Sequence, residues 1–209
     1  MLKKDIYVYL VFLSILIAGL LIYPDYGFDT DEKFQRSNGF FWLYYVSDFF
    51  GLEQLSSAAK AKLDSIQGFT LSPVEHFNKY GVIFDLPAAF FEIILEINQP
   101  VDYYQFRHLM VFLFFFVGLI FFYKILKNRF KNQWICIFGL LLLIFTPRLF
   151  GNSFFNVKDI VFLSLYIIAL FYYFKTIDKN SFSNIILFSL FSAMATTMRI
   201  VGVFLPFSL

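Results

Sequence analysis

Residues 6–23, IYVYLVFLSILIAGLLIY, form an uncharged apolar run of 18 residues close to the amino terminus. At ~1.5 Å per residue a helix of this length reaches ~27 Å, nearly the ~30 Å of a hydrocarbon core. The run therefore predicts a first membrane span. Lys3 and Lys4 precede it, as in a cleaved signal peptide, but the run is long for such a peptide and no A-x-A cleavage site follows. We favour an uncleaved anchor.

The composition of the whole chain agrees with a lipid environment. Of its 209 residues 59% are hydrophobic, 23% are aromatic and 15% are charged, whereas a soluble domain has ~45–50% apolar and ~25% charged residues. A soluble fold of this length could not bury so much apolar surface. The net charge of +2, without a basic run, excludes a nucleic-acid-binding protein. The single cysteine, Cys136, excludes a disulfide framework and a cysteine zinc site.

Further apolar segments predict an all-α polytopic membrane protein with about five transmembrane helices in a single membrane domain, 1–209. The predicted spans are 6–23, 108–126, 133–146, 160–174 and 182–198.

The segment between the first two spans, 24–104, is richer in acidic residues and predicts a water-facing outer loop of short juxtamembrane helices. Ser72 to Glu75 has the spacing of a capping box, which predicts a helix start. Glu92 and Glu96 share one face of another short helix, and we expect that face to be wet. The segment 147–159 predicts a polar hairpin.

Charge counting gives the orientation. The amino terminus and the loops 124–132 and 175–180 hold eight basic and two acidic residues, and the other side holds nine basic and thirteen acidic residues. The positive-inside rule then predicts a cytoplasmic amino terminus, with 24–104 and 147–159 outside. The chain has no N-glycosylation sequon, which favours a bacterial cytoplasmic (inner) membrane.

An acidic cluster, DYGFDTDEK at 25–33, directly follows the first span. Four carboxylates within eight residues repel one another, and their concentration favours a proton to be removed or a bound cation. The other interpretation is structural, because Asp29 or Thr30 would cap a helix whose first turn holds Asp31 and Glu32. The residues alone leave both open.

A second cluster, PRLFGNSFFNVKD at 147–159, lies on the same predicted side. Arg148 and Lys158 suit the phosphate of a lipid-linked substrate, but they could also be interface anchors that pair with Asp159. Arg199 lies in an apolar stretch without an acidic neighbour in sequence, which marks a functional site or an unseen counter-ion. His108 lacks metal-ligand spacing, so a structural role is favoured.

These features together resemble a membrane glycosyltransferase of the GT-C type. The resemblance rests on the acidic Asp-Glu pair after the first span, the loop of short helices and the PRLFGNSFFNVKD segment, with Arg107-His108-Leu109 in support. It is strongest to the protein O-mannosyltransferase and aminoarabinose-transferase-like group, called family 39. Members of that group usually have well over five helices, so the chain is expected to be the amino-terminal portion of a larger enzyme.

The resemblance implies inverting transfer of a sugar from a polyprenyl-phosphate donor to an acceptor on the outer face of the membrane. Asp31 corresponds to the base, although Asp29 competes for that role, and Glu32 is its neighbour. Asp159 corresponds to a second acidic position, which would orient Lys158 or bind a divalent cation. The residues expected around the lipid phosphate are Arg148, Lys158 and Arg199.

The partners implied are a lipid-linked sugar donor and membrane lipids, with no nucleic acid. The acceptor, whether protein, lipid or glycan, stays open, and no cofactor is assigned beyond that cation. The competing interpretation is a non-catalytic membrane scaffold or subunit that binds a partner through its outer loop.

Overall fold

The structure is a computed structural model that describes residues 2–66, 77, 81–179 and 181–208. Within these ranges the regular elements are helices, and the predicted all-α membrane fold is confirmed. In chain order the helices are α1 (Leu2–Ile22), α2 (Thr30–Phe49), α3 (Glu53–Asp64), α4 (Asp85–Ile94), α5 (Pro100–Arg129), α6 (Gln133–Ile144), α7 (Pro147–Phe155), α8 (Val157–Asp178) and α9 (Phe182–Met198). The helix start predicted at Ser72 to Glu75 lies outside the described residues.

Three segments of the described chain are long and apolar enough to cross a membrane: Ile6–Asp25, Pro100–Arg129 and Val157–Asp178. A fourth candidate is the pair α6 and α7, which meet at an angle of 66°. The bend follows from Pro147, which has no N–H to continue α6 but suits the first position of a new helix. The remaining predicted span coincides with α9, whose 17 residues reach only ~25 Å.

The long helices pack into one apolar core. Helix α5 lies against α8, and α8 lies against α9. A close approach of α5 and α8 depends on Gly118, because a Cβ there would lie 2.9 Å from Ser164 Oγ. Helix α1 is peripheral, and side chains such as Tyr9 and Leu21 face outward, as expected in contact with lipid.

Helices α2, α3 and α4 form a second unit, which we call the α2–α4 layer. Its core is aromatic, with Phe40, Phe41 and Phe77 stacked or packed among small apolar side chains. Helix α2 can lie close to α4 because Gly39 has no side chain, and a Cβ there would lie 2.3 Å from the Asp85 carbonyl oxygen. This contact sets where Asp85 is held.

Two predictions about this part of the fold are wrong. The segment 147–159 is not a hairpin, because α7 ends at Phe155 and α8 begins at Val157, with Asn156 capping α8.

The second concerns Glu92, which does not lie on a water-exposed face, since its exposed fraction is 0%. Arg36 binds Glu92 with Nη2 2.6 Å from Oε1 and Nε 3.0 Å from the same oxygen, and this pairing offsets the cost of burying the carboxylate.

Candidate active site

A cavity of about 400 Å³ lies where the first turns of α2 and α8 meet the end of α9. We call it the Asp31 cavity. Its polar lining comes from residues that are far apart in sequence, and its apolar lining lies mainly at the end of α9 and just beyond it. The lining residues are Asp31, Phe34, Gln35, Gly81, Asp85, Val157, Lys158, Met198, Arg199, Ile200 and Val201.

The start of α2 is fixed by a capping box. The Asp29 carboxylate accepts the backbone N–H of Thr30 at 2.8 Å, and Glu32 Oε2 accepts the backbone N–H of Asp29 at 2.7 Å. The predicted capping interpretation of this cluster is therefore confirmed for Asp29. Asp31 lies in the first turn of the helix, as that interpretation expects, and its side chain is 60% exposed and lines the cavity.

Glu32 is buried and is not among the residues that line the Asp31 cavity. Its Oε1 lies 2.9 Å from Nε2 of His108 on α5, which is also buried. One carboxylate oxygen thus holds the helix start and the other holds α5. Glu32 thus links the first turn of α2 to α5 through His108.

Lys158 reaches across the cavity to Asp31. Its Nζ lies 2.9 Å from Asp31 Oδ2, and its side chain is 28% exposed. Lys158 is the second residue of α8, where a cation is disfavoured by the helix dipole. The ion pair with Asp31 offsets that cost and holds the ammonium group at the cavity.

Arg199 forms an ion pair with Asp159, and both side chains are about half exposed. Asp159 also accepts a hydrogen bond from Asn156 Nδ2 at 3.0 Å, while Asn156 Oδ1 accepts the backbone N–H of Asp159 at 3.0 Å. Asp159 is thus the counter-ion of Arg199, which could not be identified from the sequence. Arg148 lies in the first turn of α7, is exposed, and is outside the lining of the Asp31 cavity.

Asp85 is a buried carboxyl in the wall of the same cavity, and sequence reasoning missed it. Its Oδ2 accepts a hydrogen bond from Asn38 Nδ2 at 2.9 Å, and its Oδ1 lies 3.5 Å from Arg107 Nη1. Burial raises the pKa of Asp85 to about 6, although the Arg107 guanidinium and the Asn38 hydrogen bond oppose that change. Asp85 thus keeps its proton to a higher pH than an ordinary aspartate does.

Arg107 has the largest fully buried side chain of the described residues, and its Nε and Nη2 have no hydrogen-bond partner among them. The Oε1 atom of Gln35, which lines the cavity, is similarly unpaired. A signal for Arg107 was present in the sequence, because a cation inside a long apolar helix is costly unless it has a partner. That signal did not identify Asp85 as the partner.

The structure therefore brings together four of the six residues that the sequence singled out. Asp31 and Lys158 are paired across the cavity, and Arg199 lines it beside its partner Asp159. Glu32 lies behind the first turn of α2. In the described part of the chain, no group of three or more His, Cys, Asp or Glu side chains is placed to hold a metal ion.

Residues 88–209, more than half of the chain, match a family model. The match identifies this helical protein with a charged cavity as a membrane glycosyltransferase of the GT-C type. The model describes dolichyl-phosphate-mannose-protein mannosyltransferases, and the chain belongs to this family. The predicted resemblance is thereby confirmed. The matched range includes Lys158, Asp159 and Arg199 but begins after Asp31.

Membership of the family makes this protein a glycosyltransferase that uses a lipid-linked sugar donor in a membrane setting. Searches of curated proteins and of solved structures found no match.

Proposed function

We propose that the protein transfers a sugar from a polyprenyl-phosphate donor to an acceptor on the outer face of the membrane, with inversion at the anomeric carbon. The observation that carries the proposal is the convergence of Lys158, Arg199 and Asp31 on one cavity. Two cations suit a phosphate and one carboxylate suits a proton acceptor. The three side chains come from the first turn of α2, the first turn of α8 and the residue that follows α9, so their meeting is a property of the fold.

The phosphate of the donor would bind Lys158 and Arg199. Both cations already form ion pairs at partly exposed positions, and exposed pairs are weak, so phosphate oxygens can compete for them. Arginine offers a planar pair of N–H donors to a phosphate and lysine offers a compact charge. Arg148, exposed on the neighbouring α7, would act at the approach to the cavity.

The lipid part of the donor has a suitable surface beside these cations. Met198, Ile200 and Val201 line the same cavity, and Ile200 is 81% exposed. An exposed isoleucine next to a charged cavity would contact the first isoprene units while the phosphate faces the cations. A water-soluble sugar nucleotide would gain nothing from this apolar rim.

In the proposed step, the acceptor hydroxyl oxygen attacks the anomeric carbon of the donor sugar and its proton passes to Asp31. The bond between the anomeric carbon and the phosphate oxygen breaks at the same time, and polyprenyl phosphate leaves with the electron pair. Lys158 and Arg199 stabilise the negative charge that develops on that phosphate. Movement of Lys158 from Asp31 toward the phosphate would release the carboxylate for its role as base.

The other predicted residues have positioning roles in this proposal. Glu32 and His108 hold the first turn of α2, and Asp159 holds Arg199. Asp29 is the helix cap, which leaves Asp31 as the stronger candidate for the base. The cytoplasmic amino terminus is part of the proposal on the strength of the positive-inside distribution of basic residues. The bacterial inner membrane is part of it because the chain has no N-glycosylation sequon.

The test measures binding of polyprenyl phosphate to the full chain in detergent, with uncharged polyprenol as the reference lipid. The variant Lys158→Ala/Arg199→Ala should lose at least about tenfold in affinity for polyprenyl phosphate and keep its affinity for polyprenol. The matched control is Lys60→Ala, which removes an exposed lysine of α3 outside the cavity and should bind as the wild type does. Equal binding by the double variant and the wild type would contradict the proposed phosphate site and support a non-catalytic membrane protein.

A further inference from the structure

A second cavity, of about 680 Å³, lies between α2, α3, the end of α4 and the start of α5. We call it the Glu96 cavity. It shares α2 with the Asp31 cavity but uses another face of that helix, since Lys33 and Arg36 line it whereas Asp31 and Gln35 line the first. Nothing in the proposed donor site uses this second cavity.

Glu96 has an unusual backbone conformation. Its φ angle is 53°, in the left-handed region, and it is the only non-glycine residue with positive φ in the described ranges. The residue follows the end of α4, where Glu96 N–H donates to Ile93 O at 3.1 Å and Ile97 N–H donates to Glu92 O at 3.0 Å. This is the Schellman arrangement, whose left-handed position is usually filled by glycine. A glutamate there is retained against the local preference of the backbone.

Glu96 is exposed and is one of the residues that line the cavity. A residue held in a disfavoured conformation suggests a function for its side chain, because glycine would close the same helix end at lower cost. The same cavity is lined by two tyrosines near the start of α5, Tyr103 and Tyr104. The cavity lining thus combines a carboxylate residue, which can accept hydrogen bonds, with two aromatic residues.

Two basic side chains of the lining are held in place by contacts within the protein. Arg36 is buried, lies 3.7 Å from the centre of the Tyr103 ring and binds Glu92. Lys62 Nζ donates to Ile97 O at 2.7 Å and to Asn98 Oδ1 at 2.8 Å. These contacts hold both side chains in one arrangement before any ligand arrives, which lowers the entropy cost of binding.

A sugar ring matches this lining better than a simple anion does. Each hydroxyl group both donates and accepts hydrogen bonds, so it can use the Glu96 carboxylate as well as the ammonium group of Lys33. Tyr104 stacks on Phe28, with ring centres 5.4 Å apart, so its other face is the one that would pack against the C–H groups of a pyranose. A simple anion would be attracted by Lys33, Arg36 and Lys62 but repelled by Glu96, whereas the hydroxyl groups of a sugar can use both kinds of group.

We propose that the Glu96 cavity binds a pyranose unit of the acceptor, with Glu96 accepting hydrogen bonds from its hydroxyl groups. The inference rests on the proposed function, since a transferase needs an acceptor. It makes the acceptor a glycan or a glycan-bearing molecule. Helix α2 then separates the donor site from the site that holds the acceptor.

The test is saturation-transfer NMR on the full chain in detergent. The probes are the methyl pyranosides of glucose, mannose, galactose and N-acetylglucosamine. At least one of them should receive saturation from the wild-type protein. Glu96→Gly should weaken binding of that pyranoside by about tenfold or more, because a hydrogen bond to a charged group is lost.

The same variant has an opposite effect on stability, which separates binding from folding. Glycine relieves the left-handed conformation, so Glu96→Gly should raise the thermal midpoint by about 2–4 °C while it weakens binding. Glu96→Gln keeps the side-chain shape and should retain part of the binding. Glu53→Gln removes a carboxylate from an exposed position on α3 outside the cavity and should bind as the wild type does.

The inference is overturned if no pyranoside binds the wild-type chain, or if Glu96→Gly binds it as well as the wild type does. These measurements need no donor and no turnover. A failure here therefore leaves the proposed transfer untouched, and a failure of the polyprenyl-phosphate experiment leaves this result interpretable.

Discussion

Lys158 and Asp31 form an ion pair of 2.9 Å although they are 127 positions apart in the chain. The pair joins the first turn of α8 to the first turn of α2 and closes one side of the Asp31 cavity. It connects the range that matches the glycosyltransferase family to the acidic segment that precedes that range. The proposed base and one proposed phosphate ligand are thus in direct contact.

Removal of the Glu32 side chain tests whether Glu32 stabilises the first turn of α2, which carries Asp31. Glu32→Ala deletes half of the capping box and leaves His108 buried without its partner, so the free energy of unfolding should fall by about 2–3 kcal/mol. Thermal unfolding in detergent measures the effect. Glu53→Ala, at an exposed position in the first turn of α3, should change stability by no more than about 0.5 kcal/mol. An equal loss in both variants would contradict the positioning role of Glu32.

A methyl group at Gly39 tests how closely α2 and α4 must pack to place Asp85. Its Cβ would lie 2.3 Å from the Asp85 carbonyl oxygen, so α4 must shift, at a cost of about 1–3 kcal/mol in stability and with loss of transfer activity. Gly151→Ala is the matched control in α7, because a Cβ there meets nothing within 4 Å. That control should be neutral or slightly stabilising. A tolerated Gly39→Ala would show that the position of Asp85 is not restricted by this contact.

Asp85 should leave a signature in the pH dependence of stability. Its pKa in the folded protein is raised from 3.8 to about 6, so between about pH 4 and pH 6 the folded state binds more protons than the unfolded state. Stability contributed by this group is therefore present at low pH and is lost as the pH rises through 6, by up to about 3 kcal/mol.

Asp85→Asn removes that dependence, although it also leaves Arg107 without its carboxylate at every pH. The measurement is the difference in unfolding free energy between the wild type and the variant from pH 4 to pH 7. The advantage of the wild type should shrink as the pH rises. A difference that grows with pH would show that the pKa of Asp85 is lowered in the folded protein.

The positions of helices and helix breaks could be predicted from the sequence, whereas the contacts between side chains of different helices could not. The apolar run at 6–23 and the prolines that begin helices are local signals, so α1 and the break at Pro147 follow from them. The burial of Glu92 depends on Arg36, which is 56 positions away and on another helix. A pattern of spacing along one helix contains no information about such a partner.

The candidate site shows the same division. Lys158 and Arg199 stood out because charges are costly beside apolar segments, and Asp31 stood out because four carboxylates lie within eight residues. Asp85 did not stand out, because the sequence shows it only as the first residue of a short helix. Its place in the cavity wall depends on contacts with Gly39 and Arg107, which are distant in sequence. The left-handed conformation of Glu96 is also a property of the folded chain that its residue type does not indicate.

The central claim is that Asp31 is the base in transfer from a lipid-linked donor. The most direct measurement compares Asp31→Asn with the wild type in proteoliposomes that hold labelled polyprenyl-phosphate mannose, the sugar named in the family description, together with acceptor-containing cell envelope material. The account predicts that the variant inserts and binds polyprenyl phosphate like the wild type, but transfers label at least about a hundredfold more slowly. Transfer at the wild-type rate by Asp31→Asn would contradict it.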